Sequence, residues 1–172
     1  MMRVILSERN KHSLKGAVIV VTVLSIVAVA SQRIGDSQSP EAKAISTVRA
    51  IQSAESKYAA VSGGYFDTLE CLRRSDCDSR VQQFGPFVEP RVAEHRELDG
   101  YRFAFHPGVP TGGSASRTAT RSFAVTAIPV SGRVTKYRTF CGDDRNLIYA
   151  SSSPTEPEVK AGRCADTTGH LR

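Results

Sequence analysis

The sequence predicts an α+β protein in which one amphipathic helix packs on a four-stranded antiparallel sheet, behind an amino-terminal apolar segment that is either a membrane-spanning helix or a signal helix. Three observations predict this fold class. Residues 17–32 form an uncharged, mostly apolar run after a basic leader. Residues 41–61 repeat apolar side chains at three- and four-residue steps, as an amphipathic helix does. Beyond Gly100, apolar and polar residues alternate in short runs separated by turns, which is typical of strands.

The 172-residue chain divides into four parts. Residues 1–16 are a basic cytoplasmic leader, residues 17–32 an anchor or signal h-region, residues 33–40 a polar linker, and residues 41–172 one extracytoplasmic domain. About 140 residues follow the apolar segment, which is the size of a single domain. Because no internal repeat is present, we expect one hydrophobic core rather than a repeat architecture.

The apolar segment has the length of a marginal membrane anchor. The chain carries no charge between Lys15 and Arg33, so 17 residues can lie in lipid. As a helix they span about 25 Å, against a hydrocarbon core of about 30 Å. The segment is preceded by four basic residues, which are Arg3, Arg9, Lys11 and Lys15. By the positive-inside rule the amino terminus stays in the cytoplasm, which predicts a single-pass inner-membrane protein whose carboxyl-terminal domain lies outside.

A cleaved signal peptide is the alternative interpretation of the same segment. Ala28-Val29-Ala30 forms an A-x-A cleavage site after a basic region and an apolar region. Cleavage after Ala30 would leave Ser31 as the first mature residue of a periplasmic or secreted protein. Both interpretations stay open because the apolar run is intermediate in length between the two classes.

The net charge does not require a nucleic-acid partner. The formal charge is +6, but the first 40 residues hold five basic residues against two acidic ones. From Glu41 onward, 18 basic residues face 15 acidic ones. This near-balance is ordinary for a folded domain, so we expect no nucleic-acid binding.

The four cysteines are predicted to form disulfides. An even number of cysteines in an exported chain favours oxidation, and four cysteines allow three pairings. We prefer Cys71 with Cys77 and Cys141 with Cys164, because each bond then closes one local loop. The second bond would attach the proline- and glycine-containing tail to the last strands and contribute about 3 kcal/mol. The irregular spacing does not fit a zinc site.

The amphipathic helix is expected to run from Glu41 to about Val61. Ser39 is its candidate N-cap, Pro40 occupies the first position, and the Ser62-Gly63-Gly64 sequence ends it. The predicted buried face comprises Ala44, Ile45, Val48, Ile51, Ala54, Tyr58 and Ala59. The predicted opposite, exposed face comprises Glu41, Lys43, Arg49 and Glu55.

The remainder of the domain is predicted to be a long connection followed by a meander. Residues 65–99 are interrupted by Gly85-Pro86 and Pro90, so we expect a loop with one short helix at Asp78–Phe84. The four predicted strands are Tyr101–His106, Phe123–Ala127, Tyr137–Cys141 and Leu147–Ala150. Because consecutive strands are joined by short turns, they should pair as an antiparallel meander.

No motif in the chain indicates catalysis, so the expected protein is not an enzyme and has no catalytic residue, metal ligand or cofactor. Phosphate-binding loops, nucleophile–histidine–acid arrangements and H-E-x-x-H helices are absent from the sequence. The histidines of the domain, His95, His106 and His170, are scattered. His95 and His106 have no evident partner in the sequence, and two acids at Asp143 and Asp144 in a polar turn are usually solvated.

Three stretches carry a resemblance to a known group of proteins. They read AISTVRAIQSAESKYAAVSGGYFDTLECL, GYRFAFHP and FAVTAIPVSGRVTKYRTFCGDDRNLIYAS. This order of helix and strands, covering most of residues 41–150, resembles type IV pilin-like and type II secretion pseudopilin-like proteins. The resemblance implies a pilin-like head in which a helix packs on a four-stranded antiparallel sheet. It would also allow Asp143 and Asp144 to supply oxygen ligands to calcium.

The amino terminus carries a degenerate form of the family's prepilin motif. Lys15-Gly16 resembles the leader end, and the resemblance implies a prepilin-peptidase cut between Gly16 and Ala17. Val21 occupies the position at which the family carries a glutamate that is implicated in subunit assembly. The two sets of candidate processing residues are therefore Gly16 with Ala17 and Ala30 with Ser31.

The resemblance implies a non-enzymatic pilin-like or pseudopilin-like subunit with a structural or assembly role in a pilus or secretion system of the bacterial cell envelope. Its partners would be other pilin-like subunits or the secretion or pilus machinery, with residues 17–32 in the membrane. The alternative is a secreted or periplasmic binding or adhesion module, in which the same head does not polymerise. The A-x-A triplet and Val21 favour this alternative.

Overall fold

The computed structural model describes the head of the protein. The described residues are 38–111, 116–130, 137–153, 155–165 and the backbone of 170–171. Within these ranges, no helix is both long enough and apolar enough to span a membrane. The predicted anchor or signal segment and its candidate processing residues, which are Gly16, Ala17, Ala30 and Ser31, lie outside the described residues.

Helix α1 (Pro40–Ser62) is the predicted amphipathic helix, and its ends confirm the predicted caps. The Ser39 hydroxyl accepts a hydrogen bond from the Ala42 N–H at 3.2 Å, and Pro40 begins the helix. Gly63 ends it in the left-handed conformation, with φ of 85°, which glycine adopts without steric cost.

The buried face of α1 repeats at alternating three- and four-residue steps. It comprises Ala44, Val48, Ile51, Gln52, Ala54, Glu55, Tyr58 and Ser62. The prediction that Glu55 is exposed with Glu41, Lys43 and Arg49 is wrong, because its side chain is fully buried. Position 55 lies four residues after Ile51 and three before Tyr58. The helical repeat therefore places it on the buried face of α1, whatever residue occupies it.

Two short helices replace the one that was predicted between α1 and the sheet. Helices α2 (Leu69–Arg74) and α3 (Pro90–Glu94) flank a segment of consecutive turns. The helix predicted at Asp78–Phe84 is wrong, because the Val81 N–H bonds to the Asp78 carbonyl and the Phe84 N–H to the Val81 carbonyl in separate turns. A second hydrophobic cluster fills this region and comprises Ala54, Tyr58, Leu72, Val81 and Val88.

The described part of the chain contains a six-stranded antiparallel sheet and a separate two-stranded hairpin. The strands are β1 (Glu97–Leu98), β2 (Tyr101–Pro107), β3 (Phe123–Pro129), β4 (Thr139–Asp143), β5 (Ile148–Ser151), β6 (Val159–Lys160), β7 (Arg163–Cys164) and β8 (His170–Leu171). The sheet order is β1-β2-β3-β4-β5-β8, and β6 pairs with β7. The predicted meander is confirmed as the four central strands, which the short strands β1 and β8 extend.

The third predicted strand is displaced along the chain. It was expected at Tyr137–Cys141, whereas β4 begins at Thr139 and continues through Asp143. All five residues of β4 are buried, since α1 covers one face and the tail covers the other. The Gln52 side-chain amide donates to the carbonyls of Asp143 at 2.9 Å and Leu147 at 3.0 Å, which fixes α1 over the β4–β5 turn.

The middle of the sheet, at β3 and β4, is covered on both faces. On the inner face, α1 contributes Ala44, Val48 and Ile51 to the main core. The sheet contributes Tyr101, Phe103, Phe123, Val125, Ala127, Phe140 and Ile148. On the outer face, the β6–β7 hairpin brings Cys164 against Ala124 and Tyr149, where it is bonded to Cys141. The head is therefore a helix, a sheet and a covering hairpin in three layers.

Candidate functional site

A polar cluster around the buried Asp67 lies between α1 and the segment that leads into β3. We define this Asp67 cluster as Glu55, Tyr58, Asp67, Ser116 and Thr118. The carboxylate of Asp67 is buried, and it accepts hydrogen bonds from the Tyr58 hydroxyl at 3.1 Å and the Thr68 N–H at 2.8 Å. It also accepts from the hydroxyls of Ser116 and Thr118. Four donors thus converge on one carboxylate.

Glu55 contributes a second acid to the Asp67 cluster. Its Oε2 accepts the Asp67 N–H at 3.2 Å, whereas its buried Oε1 has no hydrogen-bond partner among the described residues. Burial raises the pKa of Glu55 well above its usual range, and the nearby Asp67 carboxylate adds to this shift. Burial therefore favours the protonated form of Glu55. Burial, followed by the charge of Asp67, also raises the pKa of Tyr58.

The geometry of the Asp67 cluster suits stabilisation of the fold rather than chemistry on a substrate. Its donors are directed at Asp67, and its acids are closed to solvent. The hydrogen bonds from Ser116 and Thr118 tie the chain before β3 to the helical side of the head. The sequence did not lead to this cluster, because the charge of Glu55 suggested an exposed position. The helical spacing of residue 55 from Ile51 and Tyr58 was the signal that could have predicted its burial.

Both predicted disulfides are present. Cys71 is bonded to Cys77 and Cys141 to Cys164. The first bond closes the loop after α2. The second joins β4 to β7 and holds the covering hairpin on the outer face of the sheet.

Asp143 and Asp144 are both paired with arginine. Asp143 is fully buried, and its Oδ2 accepts from Arg145 at 2.6 Å and from the Cys164 N–H at 3.3 Å. Asp144 forms an ion pair with Arg163 at 3.0 Å. The expectation of two solvated turn acids is therefore wrong for Asp143, which connects the β4–β5 turn to β7. Across the described part of the chain, no group of three or more His, Cys, Asp and Glu side chains is placed to hold a metal ion.

His106 has partners that the sequence did not indicate. Its Nε2 lies 3.0 Å from the Thr126 hydroxyl and 3.4 Å from a carboxylate oxygen of Glu156. The Thr126 hydroxyl also donates to Glu156 at 3.1 Å. This contact links β2 and β3 to the tail segment before β6. His95 is exposed, as expected for a loop residue, and only the backbone of His170 is described.

A groove with a volume of about 400 Å³ lies beside β2, bordered by α1, α2 and α3. Its accessible apolar wall is formed by half-buried side chains, which are Leu69, Val92, Ala93 and Phe105. Three exposed basic side chains, His95, Arg96 and Arg102, line its rim. We call this surface the β2-edge groove. It combines an apolar wall with basic groups, as ligand sites in proteins commonly do.

The β2-edge groove runs along a sheet edge that is only partly paired. Strand β1 pairs with β2 through Glu97 opposite Arg102 and Leu98 opposite Tyr101. One further bond, from the Phe103 N–H to the Arg96 carbonyl at 2.7 Å, continues this pairing. Beyond Phe103, no described strand pairs with this edge of β2.

Comparison of the sequence with protein-family models and with curated proteins, and of the structure with solved structures, found no match.

Proposed function

We propose that this chain is a non-enzymatic pilin-like or pseudopilin-like subunit with a structural or assembly role in a pilus or secretion system at the cell envelope. The observation that carries the proposal is the packing of α1, whose Ala44, Val48 and Ile51 lie along the inner face of an antiparallel meander. This is the arrangement that the sequence resemblance implies for the head. The polar side chains of the Asp67 cluster bond to one another, which suits a packing role.

The order of parts supports an envelope location. Helix α1 begins at Pro40, a few residues after the apolar segment 17–32 ends. The two disulfides suit an oxidising compartment outside the cytoplasm. In this proposal residues 17–32 anchor each subunit in the inner membrane, and the anchors of neighbouring subunits pack together during assembly. The partners are other pilin-like subunits or the secretion or pilus machinery.

Photo-crosslinking in the membrane of a producing cell tests the proposal. A photoreactive amino acid at Leu24, in the middle of the apolar segment, should give covalent multimers that contain this chain or a pilin-like partner. The matched control carries the same probe at Val109, which is 70% exposed on the head and reports random collision. Only monomeric product from a membrane-retained Leu24 variant would contradict an assembly role.

A second candidate is a secreted or periplasmic binding module with the same head. The β2-edge groove favours it, because an apolar groove with basic side chains at its rim is a surface suited to ligand binding. The Ala28-Val29-Ala30 triplet favours release from the membrane. A mature chain that starts at Ser31 and is recovered in the soluble fraction would support this candidate over the first.

A further inference from the structure

We infer that the β2-edge groove binds an extended peptide segment with alternating acidic and apolar residues, which adds to the sheet as a strand beside Ala104–Pro107. This inference does not rest on the proposed assembly role, because it uses only described residues of the head. Its basis is an incomplete sheet edge, an apolar wall beside that edge, and the exposed basic side chains of His95, Arg96 and Arg102 that line the groove.

The backbone of β2 supplies the attachment points. Alternate residues of a strand direct their N–H and C=O groups to the same edge. Because the Phe103 N–H points to the β1 side, where it bonds to Arg96, the N–H and C=O of Phe105 point to that side as well. Strand β1 ends before it reaches Phe105, so a guest strand could bond there. Pro107 has no N–H and limits the guest to a short segment.

The two faces of a guest strand would meet different surroundings. Side chains on its inner face would lie beside Phe105 and against Val92 and Leu69, in the apolar wall of the groove. Side chains on its outer face would lie on the same side of the sheet as Arg102 and Ala104, since these alternate with Phe103 along β2. The guest should therefore alternate apolar residues with residues that complement a positive charge.

The charges at the edge favour acidic residues at those positions. Arg102 is paired with Glu97 at 3.3 Å, but both side chains are more than half exposed. Arg96 forms no ion pair with any described residue and stands where β1 ends and the guest strand would begin. His95 adds a further basic group at the rim. A basic guest would meet like charge there, so the edge discriminates by sign.

A titration of the isotope-labelled full chain in detergent micelles with a short, end-blocked peptide of alternating glutamate and valine tests the inference. We expect nuclear magnetic resonance shifts confined to Phe103–Pro107, Val92 and Arg96, together with slower hydrogen exchange at the Phe105 amide. A peptide of alternating lysine and valine is the matched control, and it should bind at least about tenfold more weakly.

Charge-reversal variants distinguish peptide binding in the β2-edge groove from general electrostatic attraction to the protein. Arg96→Glu should weaken binding of the glutamate peptide about tenfold, whereas Arg49→Glu, on the exposed side of α1, should leave it unchanged. Equal binding of both peptides, or no protection of the Phe105 amide, would overturn the inference. Shifts of the same residues that depend on protein concentration without peptide would assign the edge to a second copy of this chain and overturn it too.

Discussion

The backbone of Gly142 lies so close to the side chain of Val48 that a β-carbon at position 142 would come within 2.4 Å of Val48 Cγ1. The same β-carbon would lie 3.0 Å from the Gln52 side-chain nitrogen. Helix α1 therefore rests directly on the backbone of β4, and Gly142 is required by this close approach rather than by its backbone torsion angles. This contact links the helix to the sheet in the proposed pilin-like head.

Substituting Gly142 with alanine should lower the free energy of unfolding by about 1–3 kcal/mol, because α1 must move away from β4. Urea denaturation measures the change. The double variant Gly142→Ala with Val48→Ala should lose less stability than the sum of the two single variants, since the smaller side chain makes room for the new methyl group. Strict additivity would show that the two residues are not in contact.

Glu55→Gln should reduce the loss of stability that the wild type shows as pH rises above the unfolded pKa of a glutamate. The native chain holds a proton on Glu55 that the unfolded chain releases above about pH 4, so rising pH favours unfolding until the raised native pKa is passed. The stabilisation is complete below the unfolded pKa and is lost as pH rises. As pH rises above about 5, the wild type should therefore lose more stability than the variant until the raised native pKa of Glu55 is passed, by about 1.4 kcal/mol for each pKa unit of the shift.

The matched control for this experiment is Glu70→Gln, which changes an exposed acid paired with Arg73. Its stability should follow the wild-type pH dependence over the same range. Parallel pH profiles for the wild type and Glu55→Gln would contradict the assignment of a buried, protonated Glu55.

Asp67→Asn should destabilise the head by about 3 kcal/mol, because four donors converge on this buried carboxylate and the amide nitrogen cannot accept from them. The midpoint of urea denaturation measures the loss. Asp76→Asn, at an exposed acid paired with Arg74, should leave the midpoint nearly unchanged. An Asp67 variant as stable as the Asp76 variant would show that the Asp67 cluster does not brace the fold.

Removing the Cys141–Cys164 bond should cost more than removing the Cys71–Cys77 bond. The two bonds close loops with sequence separations of 23 and 6 residues. Loop-closure entropy predicts losses of about 3.4 and 2.2 kcal/mol for the corresponding double serine variants. Thermal unfolding of both variants under oxidising conditions checks the order. The reverse order would show that the covering hairpin contributes little to stability.

The sequence predicted the elements whose signals are local. The caps of α1 at Ser39 and Gly63 depend on adjacent residues, as do the alternating runs that became β2 and β3. The pairing of the four cysteines followed from loop lengths. These predictions are confirmed because short-range hydrogen bonding and side-chain alternation decide them.

The parts that depend on distant contacts were not predicted. The helical spacing places Glu55 on the buried face of α1, but its hydrogen-bond donor, the Asp67 N–H, lies twelve residues later and is not indicated by that spacing. Thr126 and Asp143 are buried because the tail returns over the outer face of the sheet, where they meet Glu156 and Cys164. No residue pattern in β3 or β4 predicts that a second layer, the β6–β7 hairpin, covers the outer face of the sheet. The β2-edge groove likewise exists because β1 ends before it reaches Phe105. No residue pattern in the sequence predicts that end.

The amino-terminal residue of the mature protein decides whether this chain is an anchored pilin-like subunit. Mass spectrometry of the protein from the membrane and soluble fractions of a producing cell should find a membrane-bound chain that starts at Ala17 or retains its leader. This result would support an anchored pilin-like subunit. A chain that starts at Ser31 in the soluble fraction would contradict that account and favour the released binding module.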